Sequence, residues 1–463
     1  MSYLPQLRRR QLLQLGALSV AGYDLQSFTR PARVQAQSRV SPRASAKSVI
    51  FLNLQGGPSQ MDLFDVKMGR WAPENRDVRK TPQGFEIPYG LLPKLSRRLD
   101  DLAIIRSAQA WETIHSRGQY YLQTGHAVSP ARIKESPSLG SVIAYEAHQN
   151  QRRDSDFLPP FVSMNYESST MYGPLLCEGC LPANCSPLTL DLKDRNLPFV
   201  IDPKDRARFD RRWEMLNRMD TSRLALDDAS PQGMRQFDSF GRAVHKMMTN
   251  PAISTVLQTS LEERQAYGGT PFGDACLIAR NMVQADGGAR FILVTQPGWD
   301  HHGNIYGKDG KGGLYKTSAD LDAAFAALLL DLHRLQSKDG RPLLESTLVV
   351  CMGEFGRTPG DLTPLAGREH YAETMFAVFA GAGVKGGRVL GATDQEGAHI
   401  KDFGWSANRP VYTEDICATI YSALGIDYSK RITNTPSGRD FLYVDPAAGT
   451  RTVNFREVAE LYS

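Results

Sequence analysis

No apolar run in this 463-residue sequence is long enough to cross a bilayer, which excludes a protein built of membrane-spanning helices. No internal repeat and no low-complexity tract occurs, so neither a solenoid nor a biased, unfolded chain is in view. Charge of one sign is also scarce. The formal net charge is +4, and residues 1–36 carry all of it, with Arg8, Arg9, Arg10, Arg30 and Arg33 against Asp24. The rest of the chain is close to neutral, which excludes a surface built to bind nucleic acid. What remains, 41% hydrophobic and 22% charged residues, is the composition of a globular protein.

The basic residues at the start have a pattern. An arginine cluster at Arg8, Arg9 and Arg10 precedes a short, weakly apolar stretch ending near Ala21, and Val34, Gln35 and Ala36 supply small residues for cleavage. This resembles a twin-arginine export signal, an address read by the twin-arginine machinery rather than an element of the fold. The expectation is a signal over 1–36 and a periplasmic or secreted domain over 37–463. Cys177, Cys180 and Cys185 then read as a short-loop disulfide region, while Cys276, Cys351 and Cys417 sit in apolar surroundings as buried thiols.

Four short apolar runs end or begin at glycine-rich turns: Ser48–Leu54 before Gln55-Gly56-Gly57, Arg290–Gln296 before Pro297-Gly298, Ser346–Met352 before Gly353, and Met375–Ala380 before Gly381. Each reads as a buried strand. Helical periodicity occupies 270–285, 318–336 (with Ser318 as N-cap) and 413–424. Strand and helix in alternation predict an α/β fold, a mostly parallel sheet sandwiched between helices. The segment 157–223, rich in proline and without clear period, reads as an insertion beside that sheet.

Ligands of open α/β sheets bind outside the carboxyl ends of the strands. There the sequence places Ser59 and Asp62 after the first run, Asp300, His301 and His302 after the second, Glu354 and Arg357 after the third, and His370 just before the fourth. Aspartate, glutamate and histidine are the ligand set of zinc and similar divalent ions. Asp300, His302, Glu354, His370 and Asp62 are therefore the candidate metal ligands, with zinc first and calcium, magnesium or manganese as alternatives. Arg357 and Arg368 suit an anionic group, since guanidinium pairs well with oxyanions.

The segments "FLNLQGGPSQMDLFD", "HSRGQYYLQTG", "FGDACLIARNMV", "GWDHHGN", "TLVVCMGEFGRTP" and "GREHYAETMFAVFAGAGVKGGRVLGATD" resemble, in order, the exported bacterial family filed as domain of unknown function 1501. That family resembles a branch of the alkaline phosphatase and sulfatase superfamily, whose members hydrolyse phosphate or sulfate esters at metal sites. The resemblance implies an alkaline phosphatase-like fold and assigns Asp300, His302 and His370 to metal positions. It implies that the stretch from His115 to Gly125 surrounds the nucleophile position, which falls on His115, with Thr113 and Ser116 as neighbouring hydroxyls. Two departures stand out. Gln55-Gly56-Gly57 replaces the superfamily's first aspartate, and Phe355 stands where a metal-binding histidine is usual.

The reading that follows is an exported, metal-dependent hydrolase of a small anionic ester. His115, Thr113 or Ser116 would attack or activate water, Arg357 or Arg117 would steady developing charge, and Ser59, Arg117 and Arg368 would hold substrate. The incomplete metal pattern motivates the alternative, a non-catalytic ligand- or partner-binding protein on the same fold.

Overall fold

The protein is described from a computed structural model. It describes residues 33–36 and 40–463, apart from 151, 167–175, 194–200, 202–203, 226–231, 308–312, 434 and 449–450. The twin-arginine stretch lies outside the described residues. Arg33–Ala36, set apart with the signal on sequence grounds, pairs antiparallel with Lys430–Thr433. No described helix is long and apolar enough to cross a membrane.

The centre is an eight-stranded sheet. Its strands are β1 (Ser48–Leu54), β2 (Leu102–Ala108), β3 (Phe161–Met164), β4 (Leu188–Leu190), β5 (Phe291–Gln296), β6 (Thr347–Met352), β7 (Met375–Ala380) and β8 (Arg388–Leu390). They lie in the order β8-β2-β7-β6-β1-β5-β3-β4. Every neighbouring pair is parallel except those made by β7, which runs antiparallel to both β2 and β6. The segment read as an insertion beside the sheet thus supplies two of its strands, β3 and β4. Its strands are only four and three residues long, too short to show a period against a proline-rich background.

The longer helices are α1 (His115–Thr124), α2 (Leu139–Asn150), α3 (Arg206–Ala225), α4 (Gln232–Thr249), α5 (Pro271–Ala285), α6 (Leu314–Arg334) and α7 (Thr413–Ala423). Side chains of β1 alternate between two cores. Ile50, Leu52 and Leu54 join α5 and α6 on one face, while Val49 and Phe51 join α1, α2 and α7 on the other. Burial on both faces explains why these strands read as continuous apolar runs. Each fully buried aliphatic or phenylalanine contributes roughly 1.5–3 kcal/mol. Thr270 caps α5 by accepting from the Gly273 amide, ahead of a proline at the first turn. Helix α6 begins at Leu314 behind Gly313, one turn earlier than the N-cap expected at Ser318, which instead is buried inside the helix. All six cysteines are free thiols, so the short-loop disulfide expected at Cys177–Cys185 is not formed.

Candidate metal centre

The carboxyl ends of β1, β5 and β6 form one rim. Because β7 is reversed, its amino end reaches the same rim and carries His370 there; a parallel strand would have left that residue at the opposite edge. The two-residue ladder Gly356–Arg357 with His370–Tyr371, with Arg357 opposite His370, fixes this approach. The loop after β5 is anchored by Trp299, which is fully buried. Gly56, at φ +119°, lets the turn after β1 press against it, and a Cβ there would meet the Asp300 amide at 2.6 Å. On the other flank, the Arg368 amide donates to the His301 carbonyl at 3.0 Å.

His115, Asp300, His302 and His370 each aim one ligand atom at a common point, all four within 4.8 Å of one another. Oδ1 of Asp300 lies 3.2 Å from His115 Nε2, 2.9 Å from His302 Nε2 and 3.4 Å from His370 Nε2. His302 Nε2 and His370 Nε2 are 2.9 Å apart. The opposite nitrogen of every ring is occupied. His115 Nδ1 donates to Glu354 Oε1 at 2.6 Å, His302 Nδ1 to Glu369 Oε2 at 2.9 Å, and His370 Nδ1 to the Thr113 carbonyl at 2.6 Å. A neutral ring that keeps its proton on Nδ1 and donates it in this way presents a lone pair at Nε2. With the rings neutral, three lone pairs and a carboxylate oxygen face one another, and His115 Nε2 is buried without a hydrogen-bond partner. The rings of His115 and His370 also pack on Phe355, at 4.9 and 4.7 Å between centroids, so that residue walls the cluster instead of ligating.

Electrostatics follow from the same contacts. Burial alone disfavours charge on Asp300, but the Arg357 guanidinium and His115 outweigh it and hold the carboxyl at about 2. Burial likewise opposes a charged His115, yet Glu354 and Asp300 raise it above the ordinary histidine value. His370 is lowered by burial and by the positive charges of His115 and Arg357.

Several residues singled out in the sequence occupy other roles. Glu354 is not among the converging atoms. It is buried behind His115, where its oxygens accept from the Gly56 amide at 3.0 and 3.2 Å and from Gln119 at 2.8 Å. Arg357, expected to face substrate, is buried and spends its guanidinium on the Gly56, Gly57 and Arg368 carbonyls and on Asp300. Asp62 and Arg368 are fully buried in a separate network. Asp62 pairs with Arg76 and Arg368 and accepts from Ser59 and from Tyr306, the last at 2.9 Å. Neither Asp62 as a ligand nor Ser59 and Arg368 as substrate contacts agrees with that burial. Arg117 is half-exposed and paired with Glu112 at 2.7 Å. His115 stands among the ligand-type atoms, not as a free nucleophile. Thr113 and Ser116 flank it, and Ser116 lies in the uncapped first turn of α1. The supporting acceptors Glu369 and Thr113 O were missed because nothing local in a sequence tells which acceptor a distant ring will find.

A family model described as "Protein of unknown function (DUF1501)" matches residues 46–453. No curated protein matches the chain in sequence. Among solved structures it is similar to a protein in the alkaline phosphatase superfamily from Vibrio parahaemolyticus, with 12% identity, 84% of this chain and 69% of that one covered, and a TM-score of 0.38. It is also similar to the PsFucS1 sulfatase from Pseudoalteromonas sp., with 10% identity, coverage of 91% and 72%, and a TM-score of 0.36. A third is the C-terminal periplasmic domain of EcEptC from Escherichia coli in complex with Zn, with 11% identity, coverage of 86% and 87%, and a TM-score of 0.39.

Proposed function

The chain belongs to the family of proteins of unknown function DUF1501, and on that premise we propose that it is an exported, metal-dependent hydrolase of phosphate or sulfate esters. The observation that carries this reading is the convergence of three imidazole Nε2 atoms and one carboxylate oxygen within 4.8 Å of one another, each ring held by an acceptor at its opposite nitrogen. Ligand atoms about 2.0–2.1 Å from a tetrahedral zinc are about 3.3 Å apart, close to the 3.2 and 3.4 Å that separate Asp300 Oδ1 from the Nε2 atoms of His115 and His370. Charge agrees. Asp300, Glu354 and Glu369 against Arg357 leave two formal negative charges around the rings; Glu354 and Asp300 draw a proton to His115 without an ion, and a divalent ion would balance both charges in its place.

His115, Asp300, His302 and His370 would hold the ion, and when bound it supplies a Lewis acid for a phosphoryl or sulfuryl oxygen. Glu354, Glu369 and the Thr113 carbonyl set the ring tautomers. Arg357 keeps Asp300 ionised and fixed. The amino end of α1, without a side-chain cap, offers backbone amides to the oxyanion of the ester. Ser116 or Thr113, or a water held by them, would attack phosphorus or sulfur; the ester bond to the alcohol then breaks and the attacking group's proton goes to the departing oxygen, and where a side-chain hydroxyl has attacked, a water would then displace it and return its proton to that hydroxyl. The saturation of Arg357 favours the second reading, a non-catalytic binding protein, because it removes one expected substrate contact.

Metal analysis of the purified protein beside His302→Ala, with turnover of chromogenic aryl phosphates, diesters and sulfates, tests both. The expected result is one equivalent of metal and measurable turnover, both lost in the variant. Protein that binds no metal overturns the site; full metal without turnover of any ester leaves the binding reading.

A further inference from the structure

We propose that α3 docks the protein on an anionic phospholipid surface. Seven large hydrophobic side chains are prominently exposed among the described residues, and three belong to this one helix: Met215 at 67%, Leu216 at 48% and Met219 at 63%. Arg208, Arg211 and Arg212 are exposed on it too. At 3.6 residues per turn these six side chains fall within an arc of about 140°. Asp210 and Glu214 lie outside that arc; the acid within it is Asp205, the residue before the helix, whose carbonyl accepts from the Phe209 amide at 2.9 Å, so the face is apolar with an excess of arginine. The helix is held from another side, where Trp213 stacks on His245 of α4 at 4.4 Å and Phe209 lies 5.6 Å from the same ring. The outward face has no partner within the described chain.

A helix that presents apolar side chains among arginines matches the interface of a membrane, where the apolar groups enter the headgroup boundary and the guanidiniums meet lipid phosphates. Methionine suits this because its unbranched chain adapts to a disordered surface. The excess of three arginines over one terminal aspartate on the face argues for an anionic partner over a zwitterionic one. Attachment would be peripheral, since no described helix can span.

Co-sedimentation of the full chain with vesicles of phosphatidylcholine alone, or mixed equally with phosphatidylglycerol, reads this out. Binding is expected only to the mixed vesicles, weakening as salt rises. Arg211→Gln with Arg212→Gln, and separately Met215→Ser with Met219→Ser, should each weaken it roughly tenfold or more while thermal melting stays unchanged. No binding to the mixed vesicles, or binding indifferent to both pairs of substitutions, overturns the proposal. So does a concentration-dependent dimer abolished by the same methionine changes, which would assign the face to a second copy.

Discussion

Two clusters in this protein are built from the residue types that suggest metal binding, and they end up as opposites. Around Asp62 every contact is a donor meeting an acceptor. Two guanidiniums, a serine hydroxyl and a tyrosine hydroxyl surround one carboxylate, and what is left over is donor capacity on a cation, Nε and Nη1 of Arg76. Around Asp300 one donor, Arg357, is joined by three histidine Nε2 atoms that are acceptors while their rings are neutral. A third carboxylate, Glu414, is buried with Tyr121 and the Trp111 indole donating to it and no cation among those partners. One fold thus surrounds three carboxylates in three ways: guanidiniums at Asp62, imidazoles with one guanidinium at Asp300, and neutral donors at Glu414. Residue type does not separate them. The polarity of what faces the carboxylate does.

The comparison can be broken first at its guanidinium end. Asp62→Asn leaves Arg76 and Arg368 buried beside a neutral amide, and loss of one partner from a buried pair costs roughly 3–5 kcal/mol. Urea denaturation should show that drop, while metal content of the folded fraction stays unchanged. A drop in metal content instead would return Asp62 to the ligand set.

The Glu414 end predicts a pH dependence. Burial raises Glu414 from 4.5 to about 7 despite the hydrogen bonds from Tyr121 and Trp111. Below 4.5 both folded and unfolded chains hold the proton. Between there and about 7 only the folded protein keeps it, so stability falls as pH rises through that window, by about 3 kcal/mol in total. Glu414→Gln should flatten that part of the stability profile, and an unchanged slope would show that Glu414 is ionised in the fold.

At the Asp300 end the smallest effect distinguishes support from ligation. Glu354→Gln is expected to weaken metal binding about 10- to 100-fold without abolishing it. Glu369→Gln should sit at the low end of that range, because Glu369 is 55% exposed and water can replace it. Competition with a chromogenic chelator measures both. Complete loss of metal in Glu354→Gln would mean that its carboxylate ligates directly.

Against these contrasts the sequence was informative in proportion to how local the signal is. Burial on both faces makes β1, β5, β6 and β7 continuous apolar runs, so they could be read directly, and with them the rim that gathers Asp300, His302 and His370. The direction of β7 is a property of its neighbours, not of its residues, and no periodicity reports it. Glu354 was legible as an important acid at a strand end, but its role depends on Gln119 and the Gly56 amide, which arrive from distant segments. His115 and Arg357 depart from their expected roles for the same reason. His115 is turned by Glu354 to face the cluster, and Arg357 is consumed by three carbonyls that no motif records.

The short ladder between Gly356–Arg357 and His370–Tyr371 has a consequence for how the chain between them can vary. Side chains along such a ladder alternate in direction, so Arg357 and His370 keep their positions only while they remain opposite one another. Within the connection from Thr358 to Glu369, Leu365 to Glu369 are held by Asn304, Ile305, Asp62, His301 and His302, which leaves the exposed stretch around Asp361 as the place where length can vary. A slip of one residue at the paired positions would turn the imidazole away from its three partners. Loop length is therefore negotiable at this rim, and parity is not.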